Sequence, residues 1–157
     1  MTGRIKIDGQ SIPYADGQTV MQAATDAGVF IPHLCYHPDY EANGSCKMCT
    51  CKIEGRQASS CTTKAVNGMV VESNTHELNS ERRALAQMLF VEGNHHCPSC
   101  EHSGNCVLQS QAYKLGMTAL IFPDFTARRE TDASHPDILI NRDRCIYCEL
   151  CVRASRD

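Results

Sequence analysis

Eleven cysteines are the residues of this 157-residue chain with the clearest capacity for chemistry. Cysteine-free stretches at 62–96 and 107–144 divide them into three groups. The groups are Cys35, Cys46, Cys49, Cys51 and Cys61; then Cys97, Cys100 and Cys106; then Cys145, Cys148 and Cys151. A thiolate is a soft ligand that suits zinc and iron–sulfur clusters. Local clustering and an odd number of cysteines favour metal sites over long-range disulfide bonds.

The first group offers four thiolates to a metal centre. Cys46 and Cys49 form a C-x2-C pair that we expect within reach of one metal, while Cys35 and Cys61 come from flanking segments. Four thiolates suit a [2Fe–2S] cluster, with two on each iron. The small residues at 42–45 predict a loop whose backbone N–H groups can approach such a cluster. A structural zinc site is the alternative, although its usual signature is two separated C-x2-C pairs.

Cys51 is predicted to have a different role from its neighbours. It alternates with Ile53 along a predicted strand. A free cysteine in that position usually packs as a small hydrophobic side chain, so we do not expect it to be a ligand.

The second group has three cysteines, which is one ligand short of a four-ligand set. Cys97, Cys100 and Cys106 follow the spacing C-x2-C-x5-C, and His95 and His96 stand directly before them. The hypothesis is a [4Fe–4S] cluster with His95 as fourth ligand, because the side chain of His96 adjoins that of Cys97. Histidine ligation raises the potential of Rieske centres, and the same direction is expected here. The alternative is a zinc knuckle with three cysteines and one histidine.

The third group has the spacing C-x2-C-x2-C, from Cys145 through Cys148 to Cys151. This is the core of the bacterial [4Fe–4S] signature, which continues with a fourth cysteine and a proline. Ser155 and Arg156 stand at those places. A second [4Fe–4S] cluster is therefore predicted with its fourth ligand missing, and we expect that ligand in sequence beyond the last residue.

The elements that must position the first group predict a small α+β unit over residues 1–78. Apolar residues alternate with polar ones on both sides of an Asp-Gly turn signal, which predicts a β-hairpin. The alternating residues are Ile5, Ile7, Ile12 and Tyr14. A capping box at 19–22 predicts a helix that ends before Gly28. With strands predicted at 50–54 and 69–71, the order of elements favours a β-grasp arrangement.

The rest of the chain is predicted to be mainly helical and irregular. A helix capped by Asn79 or Ser80 is expected to bury Met88 and to end near Gly93. A short helix is expected from 107 to 115, and residues 122–137 are expected to be irregular. The predicted domains are a [2Fe–2S] domain at 1–78, a one-histidine [4Fe–4S] domain at 79–120 and an apparently truncated [4Fe–4S] domain at 121–157.

Charge and hydropathy argue against several classes of function. The net charge is −3 and no basic stripe is present, so nucleic acid is not an expected partner. No apolar run approaches the roughly 18 residues that a membrane span needs, and the amino terminus has no apolar signal-peptide core. A cytoplasmic protein is therefore predicted. Without a G-x-G-x-x-G or phosphate-loop motif, the chain is not expected to be catalytic alone.

The order of the three cysteine patterns resembles one known module. It resembles the amino-terminal iron–sulfur region of the complex I large subunit, and most of all the iron–sulfur (diaphorase) subunit of soluble NAD-reducing [NiFe] hydrogenases. One residue separates His95 from Cys97, whereas the complex I pattern usually has three. The runs that carry the resemblance are Leu89-Phe90-Val91-Glu92-Gly93-Asn94-His95-x-Cys97-Pro98-x-Cys100 and Ser103-Gly104-Asn105-Cys106-x-Leu108-Gln109.

The resemblance implies an electron-transfer subunit within an NAD-dependent oxidoreductase complex. Its expected partners are a flavin-bearing, NAD(H)-binding diaphorase subunit and hydrogenase catalytic subunits. The same module serves NAD-dependent formate dehydrogenases and complex I, which are the alternatives. In the family the third cluster takes its last cysteine from far downstream. Two other classes stay open: a zinc-stabilised structural module, and a thiol oxidoreductase acting through a C-x2-C dithiol, which usually lies in a thioredoxin-like unit.

Overall fold

In a computed structural model that describes residues 3–156, the chain divides into two units. The first unit contains the residues up to Ser80 together with those from Cys148 onward. The second unit runs from Glu81 to Tyr147. The predicted domain boundaries after residues 78 and 120 stay a prediction.

The first unit is built on a mixed sheet of five strands. The strands are β1 (Gly3–Ile7), β2 (Gln10–Tyr14), β3 (Thr50–Ile53), β4 (Arg56–Ser59) and β5 (Val70–Glu72). Their order across the sheet is β2-β1-β5-β3-β4, with β1 and β5 parallel and the other pairs antiparallel. Helix α1 (Val20–Asp26) packs its buried residues into the same apolar core. The predicted α+β class with a β-grasp arrangement is confirmed.

The amino-terminal hairpin forms where the alternation predicts it. Ile5 lies opposite Ile12, and both are buried together with Ile7. Because side chains on a strand alternate between the two faces, every second residue enters the core. Asp8 and Gly9 both take positive φ values, as a tight two-residue turn requires. The hairpin was predicted correctly down to its turn.

Helix α1 begins with the predicted capping box. The Thr19 side chain accepts a hydrogen bond from the Gln22 amide at 3.2 Å, and the Gln22 side chain accepts from the Thr19 amide at 2.8 Å. The amide of Met21 donates to the Ser60 carbonyl at 3.0 Å. The start of the helix therefore holds the segment that carries Cys61.

Five helical segments follow the last strand within the described residues. They are α2 (His76–Glu92), a 3₁₀-helix (Cys97–Ser99), α3 (Val107–Lys114) and a second 3₁₀-helix (Arg142–Arg144), after which α4 (Leu150–Arg156) completes the described chain. The predicted end of α2 before Gly93 and the predicted short helix from 107 are confirmed. Residues 122–137 are irregular, as predicted, apart from an isolated bridge between Asp132 and Ile140.

Two details of α2 differ from the prediction. The helix begins at His76 because the hydroxyl of Thr75 accepts from the Leu78 amide at 3.2 Å, so neither Asn79 nor Ser80 is the cap. Met88 is 47% exposed and does not lie in the core.

The buried face of α2 contains polar side chains, which explains why the apolar pattern misplaced it. Gln87 is buried because its amide bonds the segment at 119–121: it donates to the Ala119 carbonyl at 2.6 Å and accepts from the Ile121 amide at 3.0 Å. A buried amide with both groups satisfied is tolerated in a core. Met88, one residue further along the helix, is turned to solvent as a result.

No helix within residues 3–156 is both long enough and apolar enough to cross a membrane.

The capping box yields a stability prediction. Thr19→Ala removes the side-chain oxygen that satisfies the Gln22 amide, and loss of such a cap costs about 1 kcal/mol. We expect the free energy of unfolding, measured by denaturant titration followed by circular dichroism, to fall by that amount. Thr19→Ser keeps the oxygen and should recover most of the loss. Equal destabilisation by both variants would contradict the role of the cap.

Candidate metal centres

The first cysteine group gathers where loops meet strands β3 and β4. Cys49 directly precedes β3, and Cys61 follows two residues after the end of β4. Cys35 lies in the loop after α1, and Cys46 lies in the loop before β3. All of these side chains are buried except that of Cys46, which is half-buried.

The four sulfurs form two close pairs. The sulfurs of Cys49 and Cys61 are 3.3 Å apart, and the Cys46 thiol is hydrogen-bonded to Cys35. That Cys46 and Cys49 come within reach of one metal stays a prediction, and the close sulfur neighbour of Cys49 is Cys61. The reason is the β3–β4 pairing, which continues as a bond from the Ser60 amide to the Cys49 carbonyl at 3.2 Å and so carries Cys49 toward Cys61.

Hydrogen bonding within each pair makes one sulfur acidic. The Cys46 thiol lowers the pKa of Cys35 to about 5, although burial opposes the shift. The Cys61 thiol likewise lowers the pKa of Cys49 to about 6, again against burial. The pKa values of Cys46 and Cys61 are raised, because each donates the proton that stabilises its partner's thiolate. Each pair thus holds one proton between two sulfurs.

This arrangement fits a [2Fe–2S] cluster. Metal binding displaces thiol protons, and each pair can then present two thiolates to one iron. A glycine permits the close approach of the loop: Gly44 has a φ of 64°, and a Cβ there would lie 3.1 Å from the Thr62 side chain. A side chain at position 44 would be strained by this positive φ and would press on the Thr62 side chain, so glycine suits the approach of the small-residue loop to the Cys61 segment.

Cys51 lies in β3 and is fully buried within the sheet's apolar core, as predicted. Its thiol donates to the Cys49 carbonyl at 3.5 Å and forms neither of the two close sulfur pairs.

The second unit brings the four predicted ligands of the second group around one cavity. Cys97 opens a 3₁₀-helix, Cys100 ends it, and Cys106 caps α3. The cavity is lined by Phe90, His95, Cys97, Cys100, Ser103, Cys106, Leu108 and Gln109. Three thiols and one imidazole around a single cavity fit the ligand set proposed from the sequence.

His95 has an unsatisfied ring nitrogen. Its Nε2 is buried without a hydrogen-bond partner among the described residues. Burial, followed by the nearby positive charge of Arg144, lowers the pKa of His95. A buried polar atom without a partner is costly, so this nitrogen is available to a ligand bound in the cavity. His96 differs, because it is exposed and its Nδ1 lies 3.1 Å from the Ser99 hydroxyl.

Two residues near this cavity position the histidine and the cysteine loop. Gly93 is required because a Cβ there would lie 2.5 Å from the Asp143 carbonyl oxygen and 2.8 Å from His95 Nε2. Gln109 is buried, accepts from the Gly104 amide at 2.7 Å and donates to the Ser103 hydroxyl at 3.1 Å. Neither role was predicted from the sequence. The role of Gln109 is indicated by its burial next to the cysteine loop, which only the structure shows.

The third cysteine group is divided between the units. Cys145 belongs to the second unit and accepts a hydrogen bond from the Tyr147 amide at 3.4 Å. Cys148 and Cys151 belong to the first unit, and Cys151 is exposed on α4. Ligation by these three residues stays a prediction. Among residues 3–156, no group of three histidine, cysteine or acidic side chains has the spacing that holds a single metal ion.

Two family descriptions match consecutive parts of the chain. Residues 3–76 match a 2Fe-2S iron–sulfur cluster binding domain. Residues 82–119 match the NADH-ubiquinone oxidoreductase-G iron–sulfur binding region. The first range contains the paired thiols, and the second contains the cavity with His95.

Similar proteins belong to two kinds of oxidoreductase. The chain is 42% identical over its full length to the gamma subunit of the NAD-reducing hydrogenase HoxS of Cupriavidus necator and covers 67% of that protein. It is 35% identical to the G subunit of the NADH-quinone oxidoreductase of Rickettsia bellii, with 98% of this chain aligned to 23% of that protein.

A solved structure agrees with the first of these similarities. A chain in the crystal structure of an NAD⁺-reducing [NiFe]-hydrogenase in the H2-reduced state is 49% identical and superposes with a TM-score of 0.93. The alignment covers 98% of this chain and 66% of that chain. The chain thus spans about two thirds of the hydrogenase subunits and about a quarter of the quinone oxidoreductase subunit.

Proposed function

This chain belongs to the family of iron–sulfur subunits that includes the gamma subunit of NAD-reducing hydrogenase, and from that membership we propose that it carries electrons between a flavin-bearing, NAD(H)-binding subunit and a hydrogenase catalytic subunit. The observation that carries the proposal is the set of two ligand constellations, one of paired buried thiols and one of three thiols and an imidazole, in a chain that matches such a subunit over its full length.

The proposed ligands follow the two constellations. We assign Cys35, Cys46, Cys49 and Cys61 to a [2Fe–2S] cluster, and His95, Cys97, Cys100 and Cys106 to a [4Fe–4S] cluster. For a second [4Fe–4S] cluster we assign Cys145, Cys148 and Cys151. The fourth ligand of this cluster would come from outside residues 145–151. The paired sulfurs and the orphaned Nε2 of His95 support the first two assignments.

The residues of this chain set the conditions for electron transfer. When bound, the clusters supply one-electron redox centres. Burial of Cys35, Cys49 and Cys61 excludes water from the first site. A neutral imidazole in the second site replaces one thiolate and removes one negative charge, which favours the reduced form and raises the potential. Burial already holds the pKa of His95 low, so the imidazole is kept neutral for ligation.

The partners and the compartment belong to the same proposal. No residue of the described chain is assigned to nucleotide or flavin binding, and the NAD(H) chemistry is assigned to the flavin-bearing subunit. Metal-ligating cysteines in this number are typical of a reducing compartment, so we include the cytoplasm in the proposal. The match to a quinone oxidoreductase subunit favours complex I as the second candidate assembly. The higher identity to the hydrogenase subunits favours the first.

The ligand assignments predict site-specific losses. Cys49→Ala removes a thiolate from the first site and should abolish the two-iron signal in electron paramagnetic resonance while the four-iron signal remains. His95→Ala removes the imidazole and should cause the opposite loss, or convert the four-iron centre to a three-iron one. Iron and acid-labile sulfide should fall in parallel with each signal.

Each variant has a matched control in the adjacent sequence. Cys51→Ala removes an equally buried thiol two residues from Cys49, and His96→Ala removes the imidazole next to His95. Both controls should keep iron and both signals. Loss of the two-iron signal in Cys51→Ala, or of the four-iron signal in His96→Ala, would show that the assignments are wrong.

The proposed place in the electron path predicts dependence on a flavin subunit. NADH added without air to the iron-loaded chain should leave its visible absorbance unchanged. Addition of the flavin-bearing subunit of an NAD-reducing hydrogenase should then bleach the absorbance as the clusters are reduced. Stopped-flow spectroscopy measures this change. Rapid bleaching by NADH alone, or none after the flavin subunit is added, would refute the proposed path.

A further inference from the structure

A buried arginine of α4 bonds the backbone of the first cysteine group. Arg153 is 3% exposed, and its guanidinium donates to the carbonyl oxygens of Cys35, of Glu41 at 2.8 Å and of Cys148 at 3.1 Å. Its Nε also donates to the Glu149 carbonyl at 3.4 Å. All of these residues belong to the first unit. The guanidinium therefore joins the loop of one proposed ligand, Cys35, to the turn that carries another, Cys148.

A second contact ties the same loop to the same turn. The Asn43 side chain donates to the carboxylate of Glu149 at 2.6 Å. Glu149 has a φ of 57°, so the turn before α4 is held in a conformation that non-glycine residues seldom adopt. The loop at 35–46 is thus fixed to α4 and the turn before it by two contacts, one from Asn43 and one from Arg153. Of these two side chains, only that of Arg153 is positively charged.

Within residues 3–156, the positive charge of Arg153 has no carboxylate partner. All four of its hydrogen bonds go to backbone carbonyl oxygens, and no acidic side chain of the described chain lies within ion-pair distance of it. The carboxylate of Glu149, the acidic side chain nearest to it along the described sequence, bonds Asn43 instead. A buried charge without a counter-charge is strongly unfavourable. A negative charge is therefore needed close to this guanidinium.

We propose that Arg153 is a positioning residue for the first cluster site and that its guanidinium is the counter-charge of the cluster bound by Cys35, Cys46, Cys49 and Cys61. This inference rests on the proposed function, because it requires that those thiolates hold a cluster. Four thiolates and two sulfides outweigh the charge of the iron ions, so the oxidised cluster is anionic and reduction makes it more so. The guanidinium bonds the backbone of one of the ligands and thus lies beside that charge.

The electrostatic consequence is a higher reduction potential. A fixed positive charge stabilises the more negative, reduced form of the cluster more than the oxidised form. Because the guanidinium is buried, water and salt screen this interaction poorly. Arg153 therefore raises the potential of the first cluster and makes it a better electron acceptor.

The experiment is a redox titration of the iron-loaded, full-length chain under anaerobic conditions, followed by the two-iron paramagnetic signal. Three variants separate charge from contact: Arg153→Met removes both, Arg153→Lys keeps the charge but loses the planar fork, and Arg156→Gln removes an exposed charge from the same helix. Iron and sulfide contents are measured on each sample, so that cluster loss is distinguished from a change in potential.

We expect the ratio of reduced to oxidised cluster at a fixed potential to fall about tenfold in Arg153→Met, which is about 59 mV for a one-electron couple. The shift in reduction potential should be less than half as large in Arg153→Lys. The potential of Arg156→Gln should equal that of the parent chain. An Arg153→Met protein that retains its two-iron centre and shifts by less than about twofold would overturn the proposal.

Two further outcomes keep the test decisive. If Arg153→Met does not fold, Arg153→Lys alone decides, and a tenfold shift in that charge-conserving variant would contradict the counter-charge. If the parent chain holds no two-iron centre, the proposed function has failed, and this inference fails with it. An unchanged potential in a loaded variant refutes only the role of Arg153.

Discussion

The structure depends on close contact between cysteine sulfurs that come from separate segments of the chain. Buried thiolates repel one another and lose their hydration, so four of them in one site are unfavourable without a cation to share. The fold nonetheless places Cys49 and Cys61 with their sulfurs 3.3 Å apart and joins Cys35 to Cys46 by a hydrogen bond. The free energy of metal binding is therefore part of the free energy of folding in this region.

The two proposed centres obtain their ligands in different ways. In the first, the pairing of β3 with β4 sets the distance between Cys49 and Cys61. Gly44, which has no side chain, suits the close approach of its loop to the Cys61 segment. In the second, short helical segments place Cys97, Cys100 and Cys106 around a cavity. His95 lines the same cavity as the fourth proposed ligand. A regular sheet gives a rigid site, whereas the second site relies on buried side chains such as Gln109 to fix its loop.

The sequence predicted the parts of the fold that depend on local pattern. Period-two alternation around Asp8-Gly9 and the box at Thr19 act over a few residues, and both appear as expected. Tertiary contacts decided the rest. The burial of Gln87 displaced Met88 to the surface, and the hydroxyl of Thr75 moved the start of α2. No local pattern carries that information.

The candidate sites divide along the same line. Cysteine spacing was enough to single out the residues that the structure brings together in the first two groups, since residue type restricts the chemistry. Spacing did not indicate that the sulfur of Cys49 lies beside that of Cys61, because this contact depends on the pairing of β3 with β4. The role of Arg153 depends on contacts more than one hundred residues apart in the chain, which a single sequence cannot show.

The proposed electron path requires that thiolates from separate segments, with one imidazole, hold iron and inorganic sulfide. The most direct measurement is electron paramagnetic resonance of the dithionite-reduced chain, purified without air, together with counts of iron, sulfide and zinc. We expect a two-iron and a four-iron signal, with at least about six iron atoms and about six sulfides per chain. A colourless protein that contains zinc, or neither metal nor sulfide, would contradict it.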